Sequence, residues 1–445
     1  MSSTKKPKKA PIQLVKGMKD ILPLEADFWS FIKERVFLMA RDYGFQYIDT
    51  PIVEATALFK RAVGEETDAV SKEMYSFVDQ GGDKLSLRPE NTAGVVRAYI
   101  EHGMLSLPQP VKLFYFAPQF RHEKPQAGRY RQFWQFGFEV LGETDPVVDA
   151  QLISMSYFIL KELGLNTEVQ INSIGDDACR PKYIKVLSQY FKDNKKDLCA
   201  DCQKRLVKNP LRLLDCKVKK CQEIAQNAPQ TVDYLCDVCN KDFTAVLEYL
   251  DEMDIKYVLN PKIVRGLDYY TKTAWELVEL DEEGKLQALG GGGRYDALVE
   301  NLGGRNTPAA GFACGVERII SKMREHKVEL PAAFRPDIYI AQLGTEARKK
   351  SLRLMQELRE AGLSVAEDIS KTGLKNQLEL ADKRKAKYAL ILGQKEIVDG
   401  TILIRDMENG VQETVDYKKI VKEIQKRLNI HVVEKVLRGH SIRNK

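Results

Sequence analysis

Apolar residues recur at helical spacing from about Glu25 to Tyr43, where Phe28, Phe31, Ile32, Val36 and Met39 share one face and Gly44 supplies a stop. The next stretch, Phe45-Gln-Tyr-Ile-Asp-Thr-Pro51, alternates as a strand does, and its proline suits a strand end or a sheet edge. Further strands are predicted at Lys84–Arg88, Val111–Phe116 and Trp134–Leu141, with a helix at Thr92–His102. Strands that arrive in runs and pair like hairpins predict an antiparallel sheet flanked by helices, the α+β arrangement.

From Gly164 to about Lys256 the pattern is predominantly helical. Strand and glycine signals return at Tyr257–Val264, Thr273–Val278 and Gly290–Gly293, and a helix starting near Gly315 turns Ile319 and Ile320 towards a core. Pro331-Ala-Ala-Phe-Arg-Pro336 reads as a linker. Beyond it, Ile338–Ala341, Leu363–Glu367 and Tyr388–Leu392 alternate as strands with helices at Glu346–Ala361 and Leu374–Lys385. The first of these helices carries Leu352, Met355 and Leu358 on one face and stops at Gly362, so a small α/β domain is expected. The predicted organisation is a tail at 1–15, an α+β domain in two parts at 16–163 and 257–330, and a helical insertion at 164–256 between them. A linker at 331–336, the α/β domain at 337–430 and an extension at 431–445 complete it.

Composition fits that plan. A chain of 445 residues exceeds one ordinary core, and 44% hydrophobic with 30% charged residues describes a soluble globular protein. No apolar run approaches the roughly 20 residues of a membrane span. The start, Met1 to Lys9, is basic but has no apolar segment, so a disordered cationic tail is expected rather than a secretory signal. Of the net charge of +6, the stretch from Phe334 onwards carries +7, with 23 Lys/Arg against 16 Asp/Glu. Such a surface either holds a polyanion through phosphate contacts or is a solvated face of mixed charge.

Eight cysteines without a secretion signal argue against a disulfide framework, and six of them fall between Cys199 and Cys239. Cys199-x2-Cys202 and Cys236-x2-Cys239 have ligand spacing, and four thiolates there could hold a structural Zn2+. Cys216 and Cys221 are rival ligands, and the other reading is a set of reduced, partly buried thiols. Cys179 and Cys314 read as packing residues.

The segment from Phe114 to Glu139 is richest in candidate chemistry. One strand delivers Arg121 and Glu123 to the same face, a loop follows with Pro125, Gly128, Arg129 and Arg131, and a second strand carries Phe133, Gln135 and Glu139 along one side. An arginine fork suits phosphate oxygens and an aromatic ring can stack on a base, although a salt-bridged hairpin edge would use similar residues. Gly290–Gly293 permits either a close backbone approach or a flexible turn. Its spacing is neither a P-loop nor a dinucleotide fingerprint.

Phe120-Arg-His-Glu123, the basic loop and Phe133 resemble motif 2 of the class II aminoacyl-tRNA synthetases. Gly311-Phe-Ala-Cys-Gly-Val-Glu-Arg318 resembles motif 3, and the helix and strand ending at Pro51 resemble motif 1. Val264-Arg-Gly-Leu-Asp-Tyr-Tyr270 and Leu289-Gly-Gly-Gly-Gly-Arg-Tyr-Asp296 are similar to signatures of the histidyl-tRNA synthetases, as are Lys16–Pro23, Leu87–Thr92 and Gly128–Phe133. The resemblance extends from Lys16 to about Lys426.

The resemblance implies ATP, with Mg2+, as substrate. Arg121 would grip the α-phosphate, Glu123 would contact the adenine amino group, Phe133 would stack on adenine and Arg318 would bind the triphosphate. Glu90, Thr92, Gln135, Glu139, Tyr269 and Tyr270 would hold L-histidine. Arg265 would face Arg121 and stabilise charge at the α-phosphate, so Arg265 and Arg121 are the catalytic candidates. It also implies a cytoplasmic homodimer without membrane association, tRNA(His) as partner, an anticodon-binding C-terminal domain and a helical insertion near the acceptor stem. Two alternatives stand beside this. A non-catalytic regulatory paralogue of histidine biosynthesis is opposed by the presence of Arg121, Arg265, Arg318 and the C-terminal domain. A class IIa enzyme for another amino acid is opposed by Arg-Gly-Leu-Asp-Tyr-Tyr.

Overall fold

The computed structural model describes residues 11–429 except 66, 125–127, 281–285, 332–334, 369 and 371–372. Most of the N-terminal tail, Pro125 and the extension from 431 therefore lie outside the described residues. The chain forms two compact units that divide between Leu330 and Pro331.

The first unit is built on an eight-stranded sheet. In spatial order its strands are Gln46–Tyr47, Val111–Phe120, Gln132–Leu141, Ala309–Gly315, Leu286–Arg294, Thr271–Leu280, Glu168–Ser173 and Tyr257–Leu259. The outermost pair at each end is parallel and the five pairs between are antiparallel. Register is pinned by a row of rings on one face. Phe114 and Phe138 lie 5.7 Å apart and Phe138 and Phe312 5.1 Å, spanning three neighbouring strands. Helices cover that face. Pro23–Asp42 begins with proline at its first turn and buries Ile32, Val36, Met39 and Ala40. Val147–Glu162 is apolar on nearly every side, burying Leu152, Ile153, Met155, Ile159 and Leu160, so no single helical stripe marks it in the sequence.

Strand parity then decides what the other face presents. Along Gln132–Leu141 the even positions Trp134, Phe136, Phe138 and Val140 pack under the helices, which leaves the odd positions Phe133, Gln135, Gly137 and Glu139 for the opposite face. A three-stranded sheet of Val53–Ala55, Lys84–Leu87 and Ser76–Val78 flanks that side. Just after it, Arg88 is only 2% exposed, and its guanidinium donates to the carbonyls of Thr50 (2.6 Å) and Pro118 (2.9 Å). This clamp fixes the Pro89–Thr92 turn against the end of the main hairpin.

One expectation changes here and one open alternative is decided. Glu168–Ser173 is a strand of the main sheet, paired to Thr271–Leu280, although it lies in the stretch expected to be helical. The helices of that stretch run from Arg180 to Glu252. Gly290–Gly293 is the middle of a strand and not a turn: it is paired on both edges. A Cβ at Gly290 would strike the Cys314 sulfur, and one at Gly292 the Gly311 carbonyl.

The second unit is a five-stranded sheet in the order Val365–Glu367, Ile338–Gln342, Tyr388–Leu392, Thr401–Asp406, Gln412–Asp416. Its first three strands are parallel and the last two antiparallel, with helices Thr345–Glu360, Leu374–Lys383, Gln394–Asp399 and Ile420–Arg427. Leu352 does not share the core face of its helix, since it is 56% exposed. The buried stripe is Ala347, Ser351, Leu354 and Leu358, one helical step round, because Ser351 satisfies its hydroxyl locally on the Arg348 carbonyl.

Candidate active site

The odd-numbered face of the hairpin, the Pro89–Thr92 turn, the Val264–Tyr270 turn, the glycine strand and the start of helix Val316–Glu325 enclose a cavity of about 640 Å3. That volume suits a small-molecule site. The cavity has two chemically distinct ends.

At one end Arg121 donates from Nε to the Pro89 carbonyl at 2.8 Å and lies 5.4 Å from the centre of the Phe133 ring. Its guanidinium edge is 4.0 Å from Glu123, which Arg129 also reaches at 3.2 Å. Arg318 is fixed by donating to the Ala288 carbonyl at 2.7 Å. Burial, together with the nearby Arg129 and Arg121 cations, holds the Arg318 pKa below its ordinary value. Three cations gathered in a partly buried pocket, with an open aromatic face beside them, are arranged for a polyanion bearing a flat base. Next to Arg318, burial raises Glu317 to about 7, and both its oxygens accept the Trp134 N–H at 3.0 Å.

At the other end Glu90 accepts the backbone N–H groups of Thr92 (2.7 Å) and Ala93 (3.0 Å). It thus occupies the N-terminus of helix Thr92–Glu101, where a carboxylate meets the unpaired donors of the first turn. Burial still raises its pKa. Thr92 and Gln135 line the cavity, as do Tyr269 and Tyr270, whose ring centres are 4.6 Å apart. Glu139 does not line it. It sits behind Thr92, accepts the Thr92 hydroxyl at 2.7 Å and the Tyr295 hydroxyl, and is 1% exposed. Strand parity places Glu139 on the correct face, but its carboxylate fills the space beside Gly311 and stays one layer below the cavity. Burial raises it to about 8, so near neutral pH it is mostly a neutral acid.

Arg265 lies between the ends. Its Nη1 donates to Glu276 at 2.7 Å, and its guanidinium lies 5.2 Å from the centre of the Tyr270 ring. Burial opposes its charge, but Tyr270 and Glu276 outweigh burial and raise its pKa. The backbone is left-handed here, with φ +51°, a conformation that costs a non-glycine residue about 1–2 kcal/mol and that structures retain where function requires it. Gly291 makes room for the side chain: a Cβ there would lie 2.6 Å from Arg265 Nη1.

The family profile described as histidyl-tRNA synthetase matches residues 17–319, and the profile described as anticodon binding domain matches residues 337–427. The chain belongs to the histidyl-tRNA synthetase family. The histidine–tRNA ligase of Desulforamulus reducens is 45% identical over 413 residues, covering 93% of this chain and 98% of that protein. That of Dehalococcoides mccartyi is 44% identical over 417 residues, covering 94% and 100%. The crystal structure of apo S. aureus histidyl-tRNA synthetase superposes with a TM-score of 0.79 at 35% identity, covering 93% of this chain and all of the other. The main sheet is accordingly the catalytic sheet of a class II synthetase, and the second unit carries the family's anticodon-binding fold.

Within this synthetase fold the structure adds residues to which the motifs assign no role. Tyr115 lines the cavity from the hairpin's first strand. Tyr295 reaches Glu139 from the end of the glycine strand. The helical insertion supplies a wall with Arg205 and Arg212, which pair with Asp68 at 3.3 and 3.5 Å. Arg212 also donates to the Arg265 carbonyl at 3.2 Å. Nothing in the spacing of Arg212 from Arg265 announces that contact.

The cysteines group differently from the expected set. Cys199 and Cys202 converge with Cys216 and Cys221, whereas Cys236 and Cys239 converge with Cys179 and Asp176. Cys199, Cys202, Cys236 and Cys239 therefore do not form one site, because the chain folds back on each pair separately. Cys179 is a cluster member and not simple packing. Cys314 packs as expected, fully buried beneath Gly290. Among the described residues no helix is long and apolar enough to cross a membrane.

Proposed function

We infer that the cavity activates L-histidine with ATP and then passes the histidyl group to tRNA(His): the protein is a histidine–tRNA ligase. The observation that carries this reading is one cavity lined by Arg121, Glu123, Phe133 and Arg318 at one end, Glu90, Thr92, Gln135, Tyr269 and Tyr270 at the other, and Arg265 between. In the first step a histidine carboxylate oxygen attacks the α-phosphorus, the bond to the β-phosphate oxygen breaks and pyrophosphate leaves. Arg265 and Arg121 stabilise the charge on the α-phosphoryl oxygens; such transfer depends on placed charge rather than a protein nucleophile. Phe133 and Glu123 hold adenine, and Arg318 holds the leaving phosphates. ATP brings Mg2+ as its counter-ion, and the cavity carboxylate Glu276 is a hard oxygen donor that would suit it.

Glu90 offers the remaining lone pairs of its buried carboxylate to the substrate ammonium. Gln135, Tyr269, Tyr270 and Thr92 surround the imidazole, which must both donate and accept. Glu139 acts from beneath by fixing the hydroxyls of Thr92 and Tyr295. A polar pocket of this kind discriminates against apolar amino acids because they leave its groups unpaired. In the second step the 3′-terminal ribose hydroxyl of tRNA attacks the adenylate carbonyl and AMP leaves. The C-terminal unit supplies anticodon contacts, and we place the work in the cytoplasm.

The test is amino-acid-dependent ATP–pyrophosphate exchange with reduced, folded protein. Exchange with histidine alone is expected. Absence of exchange would leave the non-catalytic reading, and exchange driven by another amino acid would overturn the specificity. We also infer a homodimer from the exposed apolar residues Phe37, Tyr47, Ile52 and Val53, each 37–50% exposed, on the first helix, the edge strand and the segment that follows it. A monomer in sedimentation equilibrium at micromolar concentration would contradict that.

A further inference from the structure

The helical insertion holds seven of the eight cysteines, and none is in a disulfide. They converge in two groups whose ligand atoms all lie within 4.8 Å of one another. In the first, the Cys199 and Cys216 sulfurs are 3.9 Å apart. A disulfide requires about 2.05 Å, whereas a tetrahedron with zinc–sulfur bonds of 2.3 Å has edges of about 3.8 Å. Three of these sulfurs accept backbone N–H groups: Cys221 from Cys199 at 3.2 Å, Cys199 from Cys202 at 3.5 Å and Cys216 from Val218 at 3.5 Å. Sulfur accepts such bonds best as thiolate. Several thiolates inside a small core call for a compensating cation.

The second group repeats the pattern with one oxygen ligand. Asp176 Oδ1 lies 3.4 Å from the Cys179 sulfur and 4.0 Å from the Cys236 sulfur. The corresponding oxygen–sulfur edge of a zinc tetrahedron is about 3.6 Å, from the bond lengths of each ligand type. The backbone N–H of Asp176 donates to the Cys179 sulfur at 3.4 Å. Both groups are built on two-residue-spaced knuckles, Cys199-x2-Cys202, Asp176-x2-Cys179 and Cys236-x2-Cys239, while Cys216 and Cys221 close the first with a four-residue spacer.

We propose that the insertion is a two-zinc module, with one structural Zn2+ in the Cys199, Cys202, Cys216, Cys221 tetrathiolate and a second in the Asp176, Cys179, Cys236, Cys239 site. The need is physical. The insertion's own core is small, centred on Tyr183, Leu187, Phe191, Leu206 and Leu213, and segments of that size commonly rely on a metal for folding energy. Soft thiolates in tetrahedral array select zinc over hard divalent cations. The first site also bears on catalysis. Asp215, Cys216, Lys217 and Val218 line the main cavity beside Arg212, so the ion orders the wall that holds the Arg265 carbonyl.

The deciding measurement is metal content by mass spectrometry on full-length protein purified without added zinc or chelator. Close to two zinc per chain is expected, with eight titratable thiols once the denatured protein is stripped of metal. Less than a tenth of an equivalent in reduced protein, an equivalent of iron in place of zinc, or a deficit of free thiols showing disulfides would each overturn the proposal. Sites are assigned by variants: Cys202→Ser with Cys221→Ser should lose one ion, and Cys179→Ser with Cys239→Ser the other. Two ions retained in either variant, or both lost from either while it stays folded, would overturn the assignment. If the variants do not fold, cadmium-substituted wild-type protein serves instead. Two 113Cd resonances are expected, the all-sulfur site further downfield, and a single resonance would remove the second site. These readouts are independent of histidine activation.

Discussion

Replacing Arg265 with alanine separates charge stabilisation from folding. The guanidinium sits 2.7 Å from Glu276 and faces the cavity at the junction of its two ends. Loss of one placed donor to a developing oxyanion costs about 2.7–4 kcal/mol, a factor of 10²–10³ in rate. The fold should lose far less. Glu276 keeps a third of its side-chain surface in water, so it stays solvated when its partner goes, and such a pair contributes roughly 1 kcal/mol or less. The contact with Tyr270 adds about as much. Alanine inherits the left-handed φ of +51°, whereas glycine relieves it, so Arg265→Gly should be more stable than Arg265→Ala by about 1 kcal/mol. The two variants should nevertheless be equally slow in histidine-dependent exchange, with kcat reduced and the KM for ATP little changed. An exchange rate within threefold of wild type refutes the role. So does a glycine variant that recovers rate along with stability, because the defect would then lie in folding.

Three further outcomes follow from the same geometry. Phe133→Ala should raise the KM for ATP roughly tenfold, since base stacking contributes about 1–3 kcal/mol, and an unchanged KM in steady-state kinetics argues that adenine binds elsewhere. Gly291→Ala would set a methyl 2.6 Å from both Arg265 Nη1 and the Trp275 carbonyl; exchange should fall at least tenfold, and wild-type activity would mean the floor is not this tight. Glu139, raised to about 8 by burial, binds a proton in the folded state that the unfolded chain releases near its ordinary pKa. Its contribution is therefore fully present below about pH 4 and lost as pH rises through 8. Glu139→Gln should flatten the fall in denaturation midpoint between about pH 5 and 8, and an identical slope in both proteins would contradict the buried neutral acid.

Much of the site was legible because strand parity and short motifs are local. Phe133 and Gln135 follow from alternation alone once the helix-covered face is known. Depth is not local. Glu139 has the right parity, yet Thr92, from another element, covers it. The cysteine partners were illegible for a related reason: spacing identifies each knuckle, but which knuckles meet depends on how the intervening helices return. The strand Glu168–Ser173 gave little warning, being six residues whose buried positions run on from Val169 to Ser173 without alternation. Arg212 carries no motif, and its link to the Arg265 carbonyl arises only from the folded wall.

The second cysteine group has a topological consequence. Pairing Glu168–Ser173 with Thr271–Leu280 closes a loop of about a hundred residues, against about eleven in the main hairpin. For a flexible chain that difference costs about 2 kcal/mol in closure entropy. Asp176 and Cys179 stand just after the first strand, and Cys236 and Cys239 at the far side of the small helices. Drawn together, they form a neck across which the chain between them is a side loop. Segments added or removed beyond the neck need not alter the register of the catalytic strands, so the block can change length while the sheet beneath keeps its geometry.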